Sequence, residues 1–414
     1  MPLNSIMRKL RRQDRPPERS SAPPDRRGGP PDWVLPGATV DMWFAKSRYF
    51  GAAPDNLSVV RDTPAYADDT TGRWVQFGNG KARITDKGLL VEDGCTNMVL
   101  WCRDLTNAAW NATGITVVKD QAGFDGTPIA ATTLTATVPK ATILQRIADD
   151  ASVQRQQSAF VRRLSGSGPI EMTMDGGTTW TNVRVANTWT RVSIPPQKLA
   201  NPIVGLRLVN RGESIAVDCV QNEKLTGGRD GLYAVSSPIT TTAAIADRAA
   251  DIVALSPVPS ISPSAASMYC SGVLIGQASA PTAYPYLFNA VGADAHEDVL
   301  GFGTRNDNCI WPNFGALISR SSGRGAERPD GSPSAGEPFA VAGAFSTKRS
   351  QTAANGSLGT ASSSSPPLNP VAAVGFGLPA HFQPPPFFYF RRVALWPSTA
   401  LADSVLSAIT KRPV

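Results

Sequence analysis

Short runs in which apolar and polar residues alternate recur along most of this chain, and almost none has the spacing of a buried helix face. Between residues 95 and 225 such runs fall at 115–119, 130–135, 142–148, 157–164, 170–175, 181–185, 190–194, 204–209 and 214–220. Alternation places successive side chains on opposite faces of a strand. Strands spaced about 8–12 residues apart, with Gly, Pro or Asn between them, predict an antiparallel sandwich of jelly-roll type. A second series follows at 266–275, 286–290, 299–302, 339–345, 371–376 and 387–396, and shorter runs stand at 39–44, 73–77 and 81–84. Gly78-Asn-Gly80 between the last two predicts a hairpin turn, as does Asn355-Gly356 further on. Only the C-terminal segment has helical spacing, with Leu401, Val405, Leu406 and Ile409 on one face.

Composition agrees with this pattern. The chain has 414 residues, too many for one compact core, with 36 Gly and 35 Pro and only 18% charged residues. The fold class is therefore mostly β: an extended N-terminal arm followed by tandem antiparallel β-sandwich domains. The divisions are an arm at 1–36, a small β leader module at 37–94, a sandwich at 95–225, a linker at 226–250 and a second sandwich at 251–414. Ser/Gly/Pro-rich stretches at 322–336 and 357–367 predict long loops.

Charge changes the picture at one end. The net charge is +7, and most of it sits in the first 30 residues, where Arg8, Lys9, Arg11, Arg12, Arg15, Arg19, Arg26 and Arg27 face Asp14, Glu18 and Asp25. Prolines crowd the same stretch, so an extended basic arm is predicted, with at most a helical turn near 6–10. Such an arm can dock on a larger assembly, stay solvated, or contact phosphates. Docking is the preferred reading, through Arg8, Lys9, Arg11, Arg12 and Arg15, with nucleic acid not the main partner. No apolar stretch follows the first charges as a signal peptide requires, and no run of about 18 apolar residues predicts a membrane span. The five cysteines are odd in number and lack C-x-x-C spacing, so neither a disulfide framework nor a zinc site is expected, and Cys219 and Cys270 read as core thiols. Synthesis in a reducing cytoplasm fits this usage.

Several short motifs occur in a telling order. Arg61, Thr63, Ala65, Asp68, Gly72 and Arg73 precede Gly88-Leu-Leu-Val-Glu92 and Thr96-Asn97, and Leu232-Tyr-Ala-Val-Ser-Ser-Pro-Ile-Thr-Thr-Thr precedes Arg248-Ala-Ala-Asp251. This order resembles the bacteriophage head-spike and tail-fibre virion proteins, although Cys95 stands where that family usually has Arg. Within 95–225, Ala109-Trp-Asn, Gly176-Gly-Thr-Thr-Trp180, Trp189-Thr-Arg-Val-Ser-Ile194 and Ile215-Ala-Val-Asp-Cys-Val220 resemble carbohydrate-binding jelly rolls, in which Trp189 is core. The segment from Ala340 through Phe390-Arg-Arg-Val-Ala-Leu-Trp396 to Thr410 resembles a laminin-G or concanavalin-like sandwich. The resemblance, over about 40–410, implies a particle-surface protein made in a bacterial host cytoplasm and held by its arm to capsid, tail or baseplate. It also implies binding of host surface polysaccharide, and because single sugar sites are weak and repeated copies raise avidity, a homo-oligomer, a trimer or higher, is expected.

The chemistry in the sequence favours binding over catalysis. There are only two histidines, His296 and His381, and neither accompanies a nucleophile motif. No nucleotide-loop or zinc-protease motif is present. Glu171 and Asp175 alternate onto one strand face with Thr173, the pairing of carboxylates a glycosidase needs, and a solvated strand face is the competing reading. Sugar binding needs an aromatic face for pyranose C–H groups and planar polar side chains for hydroxyls. Trp180 with Asn182 or Arg184 supplies these in the middle module, and Trp311 with Asn306 and Asp307 in the last one. No cofactor is expected; a structural calcium ion is a secondary reading, with Asp294, Glu297 and Asp298 as its hard oxygen donors. The expectation is a non-enzymatic receptor-binding spike or fibre, with a purely structural spike and a glycan-degrading enzyme as alternatives.

Overall fold

The computed structural model describes residues 30–225, 235–276, 286–292, 299–304, 310–313, 336–361, 370–378 and 387–411. Among the described residues almost all regular structure is antiparallel β, as expected, with an α-helix at Asp403–Thr410. The chain forms two compact units that interleave in sequence: a terminal unit drawn from 1–62, 79–93 and 250–414, and an inserted unit drawn from 63–78 and 94–249. The segment 37–94 is thus shared between the units.

The terminal unit has two sheets. One runs in the order Arg48–Phe50, Val40–Trp43, Phe387–Trp396, Ala265–Gly276, Pro338–Ser346, Ser350–Ala354, Ser357–Leu358. The other runs Ile310–Asn313, Val299–Thr304, Tyr286–Gly292, Val371–Phe376, Ile252–Leu255, Leu57–Val60. Phe288, Phe302, Phe339, Phe376, Phe388 and Phe390 fill the core, with the Phe376 and Phe390 ring centroids 5.1 Å apart. Alternation within one strand builds two layers at once. Phe339, Val341 and Phe345 belong to this core, while Ala340, Ala342 and Ala344 on the opposite face join Tyr269, Trp396 and Leu406 of the helix in a second cluster. Methyl groups there allow the helix to approach the sheet closely.

Both ends of the strand Phe387–Trp396 are covered by early segments. Val40–Trp43 pairs with Arg392–Leu395, and Leu89–Val91 pairs with Phe388–Phe390, on one edge that would otherwise be open. Gly88 opens the latter strand at φ +126°, and a Cβ there would lie 2.2 Å from the Phe390 carbonyl oxygen. Only glycine fits that position. Two charge groups are sealed inside the unit. Arg392 donates to both oxygens of Asp41 at 2.8 and 2.7 Å. Arg61 donates to Asp251 Oδ1 at 2.7 Å, while Arg83 donates to Glu92 Oε2 at 2.9 Å and also to Asp251 Oδ2. The motif residues Arg61, Glu92 and Asp251 therefore meet in one buried, charge-balanced quartet.

The inserted unit holds two antiparallel sheets. Its larger sheet runs Ile115–Gln121, Ala131–Ala136, Ser214–Lys224, Val153–Ser165, Thr190–Ser193, with Gln197–Leu199 beside Val153–Arg155. Its smaller sheet runs Thr181–Val183, Ile170–Thr173, Ile203–Leu208, Ala141–Arg146, Asn111–Thr113. Leu134, Ile143, Met172, Leu206 and Val217 lie between them. Cys219 and Cys270 are both fully buried, in the inserted and terminal units respectively, as core thiols should be.

Three local expectations need correction. The strand Val153–Ser165 starts four residues earlier than the alternation predicts, and Ser214–Lys224 ends four later. Their polar ends, Arg155 to Gln157 and Gln221 to Glu223, are buried: the segment beginning at Ser236 hydrogen-bonds Gln221 and Glu223, while Arg155 donates to Leu199 O at 3.0 Å and to Asp149. Gly78-Asn-Gly80 does not join two strands of a hairpin: Trp74–Phe77 pairs with Ala65–Asp68, and Arg83–Thr85 pairs with Gly88–Val91. The chain instead leaves the inserted unit there, and the hairpin before it packs Tyr66 and Trp74 near Phe124 and Phe160. Finally, the described end of the arm is not extended. Val34 donates its N–H to Pro31 O in a turn, and Val34 is buried among Tyr269, Trp396 and Leu406, because its apolar side chain finds the alanine-lined face. By contrast, Asn355 and Gly356 form the expected two-residue hairpin loop, with φ of +47° and +89°.

Several described linker residues have structural partners within the inserted unit. Ala246–Arg248 pairs with Cys95–Asn97, Asn97 Nδ2 donates to Val220 O and Ile239 O, and Thr96 donates to Asp247.

Candidate functional site

The smaller sheet of the inserted unit has one face in the core and one in solvent, and the candidate site lies on the solvent face. In Thr181–Val183 the side chain of Val183 is buried and that of Asn182 is exposed, so Trp180, Asn182 and Arg184 share the outer side by alternation. Register then adds residues from two further strands. Asn182 stands opposite Glu171, and Glu171 opposite Arg207. Arg207 donates from Nε to Glu171 Oε2 at 2.5 Å, and its guanidinium carbon lies 4.3 Å from the centroid of the Trp180 ring. A cation over an indole face and held by a carboxylate is a well-fixed arrangement.

The loop before Trp180 is equally fixed. Asp175 accepts from Thr173 Oγ1 at 2.8 Å, from the Thr179 N–H at 2.9 Å and from Thr179 Oγ1 at 2.6 Å. Burial pushes the Asp175 carboxyl up, but these hydrogen bonds, those of Thr179 foremost, outweigh it and hold the group below the usual carboxylate range. Gly177 sits at φ +93°, and a Cβ there would come within 2.9 Å of the Trp180 indole. The glycine is what lets the loop close against the ring. Trp180 ends half-buried, with Gly177 and Arg207 both against it. The surface can stack an apolar sugar face at the exposed part of the indole and offer hydroxyls the Arg207–Glu171 pair and the Asn182 amide.

The other sequence candidates fall out of this cluster in different ways. Arg184 is exposed one residue beyond the strand. Trp189 is half-buried against the core, under the Arg162 guanidinium at 5.2 Å, which matches its reading as a core residue. Trp311 lies in the strand Ile310–Asn313, paired with Gly303, while its proposed partners Asn306 and Asp307 lie outside the described residues. Asp294, Glu297, Asp298, both histidines and the basic arm residues Arg8, Lys9, Arg11, Arg12 and Arg15 also lie outside them. Among the described residues, no three His, Cys, Asp or Glu side chains gather as a metal site would need, and no helix is long and apolar enough to cross a membrane.

Comparison with known proteins gives the following. No protein-family model matches the chain, and no curated protein matches it in sequence. Among solved structures, the enzymatically active domain of tailspike protein 4 of bacteriophage CBA120 is similar over 30% of this chain and 21% of its own, at 16% identity and a TM-score of 0.24. The CBM22-1 xylan-binding domain of Paenibacillus barcinonensis Xyn10C is similar over 33% of this chain and 95% of its own, at 14% identity and a TM-score of 0.23. A Trypanosoma rangeli sialidase is similar over 84% of this chain and 61% of its own, at 9% identity and a TM-score of 0.28.

Arg207 is the residue that reading along the chain misses. It lies 36 positions from Glu171, and only the pairing of Ile170–Thr173 with Ile203–Leu208 brings them together. The one available signal was its outward place in the alternating run at 204–209.

Proposed function

We propose that the inserted unit is a carbohydrate-binding module, and that the whole chain is a virion spike or fibre protein that contacts host surface polysaccharide. The observation that carries the first part is the outward cluster of Trp180, Arg207, Glu171 and Asn182 on one rigid sheet face. Aromatic surface next to planar polar groups is what hydroxylated rings require. A single site of this open kind is worth about 4–6 kcal/mol, millimolar to tens of micromolar, so repeated copies on a symmetric particle suit it. The virion part rests on the order of the short motifs, with the basic segment at 1–30 as the anchor to capsid, tail or baseplate.

Binding without bond cleavage fits the state of the two carboxylates, Glu171 and Asp175. Glu171 is engaged by Arg207, and Asp175 is held below the usual range by its loop, whereas a glycosidase acid must be held above it. A purely structural spacer is the second reading, favoured by the partial covering of Trp180 by Gly177 and Arg207.

The test uses the full chain on capsular and other bacterial polysaccharides, by surface capture for binding and by size exclusion of the polymer for cleavage. Saturable binding, weakened about tenfold in Trp180→Ala and in Arg207→Met, is expected with no change in polymer length. Absence of binding to any polymer leaves the spacer, and shortened polymer establishes an enzyme.

A further inference from the structure

A cleft of the inserted unit shares no residue with the Trp180 face. It measures about 380 Å³ and is lined by Trp101, Arg103, Asp104, Lys119, Thr242 and Ile245 among others. That volume is at the lower end of the ~300–1,000 Å³ of small-molecule sites, room for the end of a glycan rather than a length of chain.

The lining is built rather than incidental. Trp101 holds a left-handed backbone, φ +50°, which a bulky side chain rarely adopts. Its N–H donates to Thr242 O at 2.8 Å, and its carbonyl accepts from the Asp104 N–H at 3.0 Å and from the buried Trp110 Nε1 at 3.3 Å. Both walls of the cleft therefore pin this one residue, whose side chain packs partly against the sandwich core and lines the cleft with what remains. Facing the same space, Lys119 Nζ donates to Asp104 Oδ2 at 3.1 Å; the lysine side chain is 35% exposed and the aspartate 23%. An ammonium has three donors, so this pair can give and accept hydrogen bonds with ligand hydroxyls while remaining paired. Ile245 stands 53% exposed at the rim, an apolar surface with solvent over it.

The charges decide which ligand fits. Arg103 does not offer a free cation: it donates to both oxygens of Asp218 and both oxygens of Asp125, at 2.8 to 3.1 Å. With Lys119 matched by Asp104, the cleft has no surplus positive charge for a carboxylate or sulfate. We propose that this cleft is a second binding site, selective for the uncharged terminal sugar of a glycan, which stacks on Trp101 and hydrogen-bonds the Lys119–Asp104 pair.

The test titrates the full chain with D-glucose, D-galactose, D-mannose and D-xylose, and in parallel with N-acetylneuraminic and D-glucuronic acids, by saturation-transfer NMR and calorimetry. Trp101→Gly removes the indole while accepting the left-handed backbone, and Lys119→Met removes the donor from the rim while keeping the stem. At least one neutral sugar is expected to bind, with a loss of about tenfold or more in each of these variants and no change in Trp180→Ala. The proposal is overturned if none of the four neutral sugars binds, if Trp101→Gly and Lys119→Met bind as the parent does, or if the acids bind better than the neutral sugars. Loss in Trp180→Ala alone would move neutral-sugar binding to the sheet face and likewise overturn it. Polymer binding through the Trp180 face can persist or fail independently of each of these outcomes.

Discussion

Removing Asp251 tests the account of the terminal unit most directly. Its carboxylate is 1% exposed and takes hydrogen bonds from Arg61, from Arg83 and, at 3.0 Å, from the Glu92 N–H. Asp251→Ala takes a carboxylate partner from each of two buried guanidiniums, Arg61 and Arg83, in a region that water does not reach. Burial works against the charge of Arg83, and Asp251 and Glu92 together overcome that and raise its pKa, so the arginine cannot escape by losing its proton. Breaking a buried pair by deleting one partner costs about 3–5 kcal/mol, a large share of the ~5–15 kcal/mol that holds a domain together. Asp251→Asn keeps an acceptor but loses the charge, and should fall between the parent and the alanine variant. The assay is urea denaturation with hydrogen exchange at Leu89 to Val91, whose amides report on the terminal unit. Replacing the charges together, Arg61→Met, Arg83→Met, Glu92→Gln and Asp251→Leu, should recover much of the loss, since the desolvation cost disappears with the ions. A loss under about 1 kcal/mol in Asp251→Ala would refute the claim that the quartet is a coupled, water-excluded group.

Other outcomes follow from the same structure. Gly88→Ala puts a Cβ 2.2 Å from the Phe390 carbonyl at a φ of +126°, and should cost about 3 kcal/mol or more, read as a lower urea midpoint or as insoluble expression. Ala342→Leu, on the sheet face beneath the C-terminal helix, should cost about 1–3 kcal/mol by overpacking and raise exchange in Asp403–Thr410 before the rest of the unit. In the inserted unit, burial raises the Asp125 carboxyl, but the Arg103 hydrogen bonds and the Thr127 N–H outweigh it and lower its pKa from the ordinary 3.8 to about 2. A depressed folded-state value adds stability above pH 3.8 that is lost as pH falls toward 2, so Asp125→Asn should flatten the acid limb of a melting-temperature profile in that window. Gly177→Ala should displace the Trp180 indole and weaken polysaccharide binding about as much as Trp180→Ala does; a variant binding like the parent would show that the ring's position is not what matters.

Alternation and turn chemistry by themselves determined the class of this protein, the longer strands of both units to within a few residues, the tight turn at Asn355-Gly356 and a helical segment near the C-terminus, while short strands such as Leu57–Val60, Asn111–Thr113 and Ile252–Leu255 escaped them. These are local properties: the period of a strand and the φ tolerance of Asn and Gly are written in adjacent residues. Alternation also placed Trp180 and Asn182 on a common face. The tertiary structure alone decided which residues complete that face, because Arg207 reaches Glu171 only through sheet register. The same holds for the two-unit layout. Nothing local marks Gly78-Asn-Gly80 as a crossing rather than a hairpin, or tells residues 79–93 to close the edge of a strand near the C-terminus. Arg61, Glu92 and Asp251 read as isolated letters in short motifs, and became a charge-balanced group only when strands distant in sequence buried them together. The left-handed Trp101 was equally silent, since its backbone N–H is held by Thr242, a residue distant along the chain. Short-range periodicity sets which way a side chain points, and long-range pairing sets what it meets there.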